Sequence, residues 1–402
     1  MEKGLNIFHI PSWYPSDNEP IPGYFLKEQI GLLAKKFPNC NQGISTWGQN
    51  DQDYLLPVNQ AIDSVRKLIK PKNNEATKKL LNLNCIEYFQ PTFTWTRKIA
   101  KGNMEQIIKS NIKNLQAFQS DFGSVDIIHA HISYPAGYIA YRIAHEMGIP
   151  YIISEHMGPF PFDSLKNRYG KPIEAIQIAL RNAIGIMVPS NFLAKQIVDY
   201  ATQEVQIIPN FIDFELYRGE EKSEDKFTIV YLGRLVETKG LKDLMEALEK
   251  LDFDNWQCEI IGEGSLRPWL ENFINKRQLS NKVKLRGNIT LTEKKVEILA
   301  KSDVLVLPSH YETFGIALIE ALACGKPVIS TNCGGPQEIV TKENGLLIDI
   351  GMPNKLAKAI TQIRNTLKEY NSKNIRIQAM EKYDIEVVGE KIMAIYHSLL
   401  SN

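Results

Sequence analysis

The residues best suited to chemistry stand in one run, Ser302 to Gly325, which reads as a buried strand, a polar loop, and a helix closed by a glycine. The helix is expected to start near Phe314 and Gly315. Its first backbone N–H groups then lie at the carboxyl end of a strand, where a diphosphate finds donors and a favourable dipole. Gly315 allows an anion to approach the backbone closely. Glu312 and Glu320 bracket the helix start with seven residues between them. A carboxylate beside a phosphate repels it, so each Glu is expected to face hydroxyls, one on a sugar ring and one on a ribose.

A second constellation, Tyr231 to Gly240, follows the apolar run Phe227 to Leu232 and carries Arg234 and Lys239. Two cations on one loop at a strand's carboxyl end suit a diphosphate, Arg234 as a fork and Lys239 as a point charge. Gly262-x-Gly264 after Ile260 and Ile261 lacks the third glycine of a dinucleotide fingerprint, because Arg267 stands there, and reads as a tight turn where backbone nears a ligand.

In the first half, Asp126-Ile-Ile-His129-Ala-His131 and Ser154-Glu155-His156 place histidines at two strand ends. His129 and His131 are expected to point to opposite sides, leaving one for a cleft. Metal binding by His129, His131 and His156 is disfavoured, since no carboxylate pair lies nearby. The two D-x-D triplets, Asp51-Gln-Asp53 and Asp252-Phe-Asp254, read as loop acids, and no metal site is expected.

These residues need strands to carry them. Short β-branched runs alternate with helix-like stretches: 6–10, 126–129, 151–154, 184–188 and 205–208, then 227–232, 258–261, 283–285, 304–307, 328–330 and 345–348. The rhythm predicts an α/β protein of doubly wound parallel-sheet units, twice over. The boundary falls in 209–226, giving domains 1–212 and 213–385, with a final helix-like segment, 386–402, as a possible completion of the first.

With 402 residues, 44% hydrophobic and 23% charged, the chain is an ordinary globular protein. Its net charge of +1 gives no whole-molecule case for nucleic acid. Five scattered cysteines form no zinc pattern and suit a reduced compartment. No apolar run is long enough for a signal-peptide core or a membrane span, so a cytoplasmic chain is expected. Between Arg66 and Lys113 eleven Lys/Arg face three Glu, a local charge of +8 interleaved with Tyr88, Phe89, Phe93 and Trp95. That mixture suggests peripheral contact with anionic lipid, against the plainer reading of solvated faces and core aromatics.

The chain resembles a retaining glycosyltransferase of the GT-B fold, in the large family 4 that uses nucleotide-activated sugars. Three stretches carry the resemblance in the second half: E-T-F-G-I-A-L-I-E with its E-x7-E spacing from Glu312, G-R-L-V-E-T-K-G from Gly233, and I-G-E-G-S-L-R from Ile261. In the first half, the H-A-H ending at His131 matches. Trp13-Tyr-Pro-Ser16 followed by Gly23-Tyr-Phe-Leu-Lys-Glu-Gln29 is similar to bacterial polysaccharide glycosyltransferases, although the family's N-terminal loop usually offers paired glycines and this one offers Gly23 alone.

The resemblance implies two Rossmann-like domains facing a cleft, acceptor held by the first and nucleotide-sugar donor by the second. Arg234 and Lys239 would hold the diphosphate, assisted by backbone at Phe314, Gly315 and Ile316 and by Gly23 and Gly264. Glu312 would contact the transferred sugar, Glu320 the ribose, and His131 the anomeric region. It implies no cofactor beyond the nucleoside-diphosphate sugar, no metal, and a glycan or lipid-linked acceptor in surface polysaccharide or glycolipid synthesis, at the inner face of the plasma membrane if the basic segment binds lipid. The rival readings are a nucleotide-sugar epimerase of the same fold and a non-catalytic sugar-nucleotide-binding protein.

Overall fold

The computed structural model describes residues 4–49, 51–69, 75–95, 102–219 and 226–401. The chain forms two compact units. Unit 1 comprises residues 1–188, 194–208 and 389–402, and unit 2 comprises 189–193 and 209–388. The main crossing falls at 208/209, a few residues before the expected boundary, and the last helix, Ile385–Leu400, carries the chain back into unit 1.

Unit 1 contains β1 (Asn6–Pro11), β2 (Asn41–Thr46), β3 (Leu55–Leu56), β4 (Thr77–Asn82), β5 (Cys85–Phe89), β6 (Thr94–Trp95), β7 (Ile127–His131), β8 (Tyr151–Ser154), β9 (Gly185–Val188) and β10 (Val205–Ile207). Eight of these form one sheet in the order β10-β9-β8-β7-β1-β2-β5-β4, parallel except for the edge strand β4. The strand order reverses direction between β1 and β7. In such sheets ligands bind outside the carboxyl ends of the two strands that flank the reversal.

β2 escapes the apolar pattern because its sequence, Asn-Gln-Gly-Ile-Ser-Thr, carries buried polar residues. The helix Met104–Phe122 satisfies them: the Ser45 hydroxyl donates to Asn111 Oδ1 at 2.6 Å, and Asn114 Nδ2 donates to Ser45 Oγ and the Thr46 carbonyl, each at 3.0 Å. Burial of the paired groups is therefore tolerated where unpaired ones would not be.

Unit 2 contains β11 (Phe227–Leu232), β12 (Trp256–Ile261), β13 (Val283–Gly287), β14 (Val304–Leu307), β15 (Val328–Thr331) and β16 (Gly345–Ile348). All pair in parallel, in the order β13-β12-β11-β14-β15-β16. Counted from β11, this is the doubly wound order 3-2-1-4-5-6, with its reversal between β11 and β14. The central strands β11 and β14 are buried on both faces and share one core with the helices that cover them, whereas the edge strand β13 exposes Lys284 and Arg286.

The basic stretch of residues 66–113 is only partly described. Lys70, Lys72, Arg97, Lys98 and Lys101 lie outside the described residues, and the others divide among a short helix, a hairpin and the helix Met104–Phe122. The aromatics proposed as its interfacial partners are not exposed. Tyr88 is fully buried with its hydroxyl donating to Asp121 at 2.7 Å, while Phe89 and Phe93 pack against Tyr54. Among the described residues no helix is long and apolar enough to cross a membrane.

Candidate functional site

Unit 2 brings the two constellations together at its sheet reversal. The loop after β11 holds Arg234 and Lys239, and the loop after β14 holds Glu312, Phe314 and Gly315. The loops touch at Gly240, where any Cβ would strike the Pro308 carbonyl, and at the His310 N–H, which donates to the Thr238 carbonyl at 2.8 Å. Lys239 Nζ forms an ion pair with Glu312 Oε2, the two side chains only 15% and 14% exposed. Glu312 Oε1 has no hydrogen-bond partner among the described residues, and the exposed Arg234 guanidinium has none either. The two loops thus offer an exposed guanidinium, an ammonium and one carboxylate oxygen with no partner among the described residues, groups chemically suited to an anion and a hydroxyl.

The helix begins at Ile316, with Gly315 as its N-cap at φ +105° and Phe314 buried behind it. That left-handed conformation is one a residue with a Cβ adopts only with strain. The Glu312 backbone is held in turn by Gly335, whose N–H donates to the Glu312 carbonyl at 2.8 Å. Cys333-Gly334-Gly335-Pro336, at the end of β15, was not singled out in the sequence, although a Gly-Gly pair at a strand end is a readable sign of close backbone approach.

Gly264 sits in an exposed turn. At φ +158° it lies against the backbone of Leu235, and the Leu235 N–H donates to the Glu263 carbonyl at 2.9 Å. The Gly262–Gly264 turn therefore braces the Arg234 loop from one side. Gly23, at φ +74°, caps the helix Tyr24–Lys36 with no room for a Cβ beside the Trp13 carbonyl.

Glu320 lies beneath the helix and not on its surface. Its Oε1 accepts from the Tyr217 hydroxyl and from Lys295 Nζ, both at 2.7 Å, with Lys295 and Glu320 9% and 7% exposed. Its Oε2 takes no partner among the described residues and is not sealed from solvent.

In unit 1 the histidines contradict the expectation of opposite orientation. Side chains two residues apart on a strand share a face, and the rings of His129 and His131 stack at 4.1 Å. His9 of β1 joins them, its Nδ1 3.0 Å from His131 Nε2 and its Nε2 3.1 Å from Gln42 Oε1. All three rings are buried, which holds each neutral: burial lowers His9 to about 4 and holds His129 and His131 well below the ordinary imidazole value.

With the Gln42 oxygen facing His9, the proton positions follow. His9 carries its proton on Nε2, so its Nδ1 accepts from His131 Nε2–H. His131 Nδ1 is left a bare lone pair, buried and without a partner. His129 is spoken for at both nitrogens, by Tyr396 at 2.6 Å and Ser154 at 2.7 Å. His9, His129 and His131 form the one group among the described residues close enough to share a metal ion, in place of the His129, His131 and His156 set weighed from sequence. Only His131 Nδ1 is free to ligate without breaking a bond already made.

His131 is followed by Ile132 at φ +78°, a β-branched residue in a left-handed conformation. The neighbouring Glu155 is fully buried. Its Oε2 accepts from the Ser133 N–H and its Oε1 from the N–H groups of His156 and Met157, at 2.7–2.8 Å. It organises the loops around His131 and has no free oxygen to act as a nucleophile. In the D-x-D pairs, Asn18 Nδ2 donates to both Asp51 and Asp53 at 2.9 Å, while Asp252 and Asp254 accept from Thr361 and Lys282 at 3.3 Å.

Comparison with known proteins matches residues 213–378 to the model for glycosyl transferases group 1, and residues 97–216 to that for glycosyltransferase family 4. An uncharacterized glycosyltransferase of Methanocaldococcus jannaschii is 31% identical over 60% of this chain and 66% of its own length. The putative teichuronic acid biosynthesis glycosyltransferase TuaC of Bacillus subtilis is 28% identical over 59% of this chain and 61% of its own. The chain thus spans under two thirds of the length of either relative. Among solved structures, Anabaena HepE in complex with UDP-glucose superposes with a TM-score of 0.70 at 18% identity, covering 98% of this chain and 99% of that one.

Proposed function

From a chain that belongs to the family 4-type glycosyltransferases of the GT-B fold, we propose a retaining enzyme that moves a sugar from a nucleoside-diphosphate sugar to an acceptor hydroxyl. The carrying observation is the convergence of Arg234, the Lys239–Glu312 pair and the Gly315-capped helix at the sheet reversal of unit 2. Arg234 and Lys239 take the diphosphate, with the backbone at Phe314, Gly315 and Ile316 at its other side. Glu312 Oε1 accepts from the transferred sugar and Glu320 Oε2 from the ribose. HepE, of the same fold, holds UDP-glucose, and a uridine nucleotide is the donor class to try first.

The chemistry follows from what is present. The C1–O bond to the diphosphate breaks as the acceptor oxygen bonds to C1 from the same face, and a leaving-phosphate oxygen takes the acceptor's proton. A double displacement needs a free carboxylate nucleophile, and Glu155 has none to offer. Developing negative charge on the departing diphosphate is stabilised by Arg234, Lys239 and the helix N-terminus, already in place before reaction. No divalent cation is called on, since these groups carry the charge. Similarity to TuaC favours a surface polysaccharide as product.

Incubation with nucleoside-diphosphate sugars and candidate glycan or lipid-linked acceptors tests this reading. It requires acceptor-dependent release of the nucleoside diphosphate, an axial or equatorial anomeric product matching the donor by NMR, and loss of both in Lys239→Ala. An inverted product, or isomerised donor without acceptor, overturns it.

A further inference from the structure

Of the fifteen large apolar side chains exposed among the described residues, seven fall between Leu55 and Leu83. Four of them stand on one nine-residue helix, Ala61–Ile69: Ile62 is 86% exposed, Val65 48%, Leu68 44% and Ile69 72%. At about 100° per residue they occupy an arc of about 120°, with Arg66 on its margin and Asp63 and Lys67 on the far side. The only side chain the helix buries is Ser64, whose hydroxyl donates to the Pro57 carbonyl at 3.0 Å. Lys67 ties the other side down through the carbonyls of Gln52 and Leu55.

This arrangement inverts the usual one. A short amphipathic helix is normally held by packing of its apolar face, and here polar contacts hold the helix while the apolar face looks outward. We infer that the Ala61–Ile69 face docks on an anionic lipid surface, lying in the interfacial plane with Ile62, Val65, Leu68 and Ile69 inserted and Arg66 at headgroup level.

Two observations select lipid over protein. Residues 55–83 carry six Lys/Arg against two acids, matched to a negatively charged surface. The following hairpin repeats the combination, with exposed Leu80 and Leu83 beside Lys78 and Lys79. Four aliphatic side chains fall short of the roughly 800 Å² per partner that a stable protein interface buries, and they include no aromatic anchor. Insertion into a bilayer has no such threshold; it scales with apolar area plus charge attraction. The aliphatic helix thus replaces the aromatic residues as the element that would meet lipid, and the inference does not rest on the reaction proposed above.

The full chain is centrifuged with vesicles of phosphatidylcholine alone and of an equal mixture with phosphatidylglycerol. The wild type should pellet with the anionic vesicles and be released by salt. Ile62→Asn with Ile69→Asn should lower the partition constant about tenfold or more, and Arg66→Glu about fivefold or more on anionic vesicles only. All three positions are exposed, so melting temperature and donor binding should be unchanged, which separates lost docking from misfolding. No pelleting of the wild type, equal pelleting of the double variant, or a wild-type dimer that the double variant dissolves would overturn the inference.

Discussion

Lys239 and Glu312 neutralise each other in a largely covered position, so each orients the other as well as its own ligand group. Lys239→Ala and Glu312→Ala should each lower kcat/KM several hundred-fold, equivalent to about 3–4 kcal/mol of transition-state stabilisation. The double variant should lose much less than the product of the two, because a pair in contact is not additive. Independent, multiplying losses would separate the two residues. Glu320 predicts a different signature. Removing it takes from the buried Lys295 its carboxylate partner, so Glu320→Ala should lower unfolding free energy by about 3–5 kcal/mol besides weakening nucleotide binding. An unchanged denaturation midpoint would contradict the pairing. For His131, the proton position set by Gln42 and His9 is read directly by ¹⁵N NMR: protonated Nε2 and bare Nδ1 in the wild type, with that preference lost in His9→Phe.

At the scale of elements, Gly315 is the position where backbone conformation and site coincide. Gly315→Ala forces a Cβ at φ +105° and within 3.0 Å of Leu318 Cδ1. It should destabilise unit 2 by about 1–3 kcal/mol; a melting temperature equal to wild type would mean the turn is not strained. Elements of this kind were legible in the sequence to different degrees. Strands β11, β14 and β15 of unit 2 were readable because they are runs of apolar and β-branched residues buried on both faces, and the E-x7-E and Arg-Lys loops because their residue types were tied to strand ends. β2 was invisible, since its buried Gln42 and Ser45 are made tolerable by partners dozens of residues away. The same Gln42, with His9, sets the state of His131, and no local pattern announces a contact across 122 residues. The orientation of His129 and His131 was available from strand geometry alone. The burial of Glu320 was not, because it depends on Lys295 and Tyr217 reaching it from separate elements.

Across the whole molecule, neutral buried histidines make stability depend on pH. His9 and His156 titrate near 4 in the fold, and His129 and His131 well below the ordinary imidazole value, all chiefly through burial; the unfolded chain takes up these protons near 6.5. Between about pH 6.5 and 4 the unfolded state therefore binds more protons, so stability rises with pH across that window and is lost as pH falls. Each histidine contributes a slope of about 1.4 kcal/mol per pH unit there. Glu155, raised by burial, retains a proton in the fold and acts in the opposite sense, offsetting part of one of the four. Urea midpoints from pH 7 to 4.5 should fall accordingly, and a flat profile would contradict neutral burial. Calorimetric titration of UDP-, GDP-, ADP- and dTDP-sugars into the wild type and Arg234→Ala tests the proposed donor site of unit 2 most directly. One nucleotide class should bind the wild type, with affinity at least tenfold weaker in Arg234→Ala, as loss of a charge-assisted contact of about 1.5–3 kcal/mol requires. Binding of none of them, or equal binding by the variant, would contradict it.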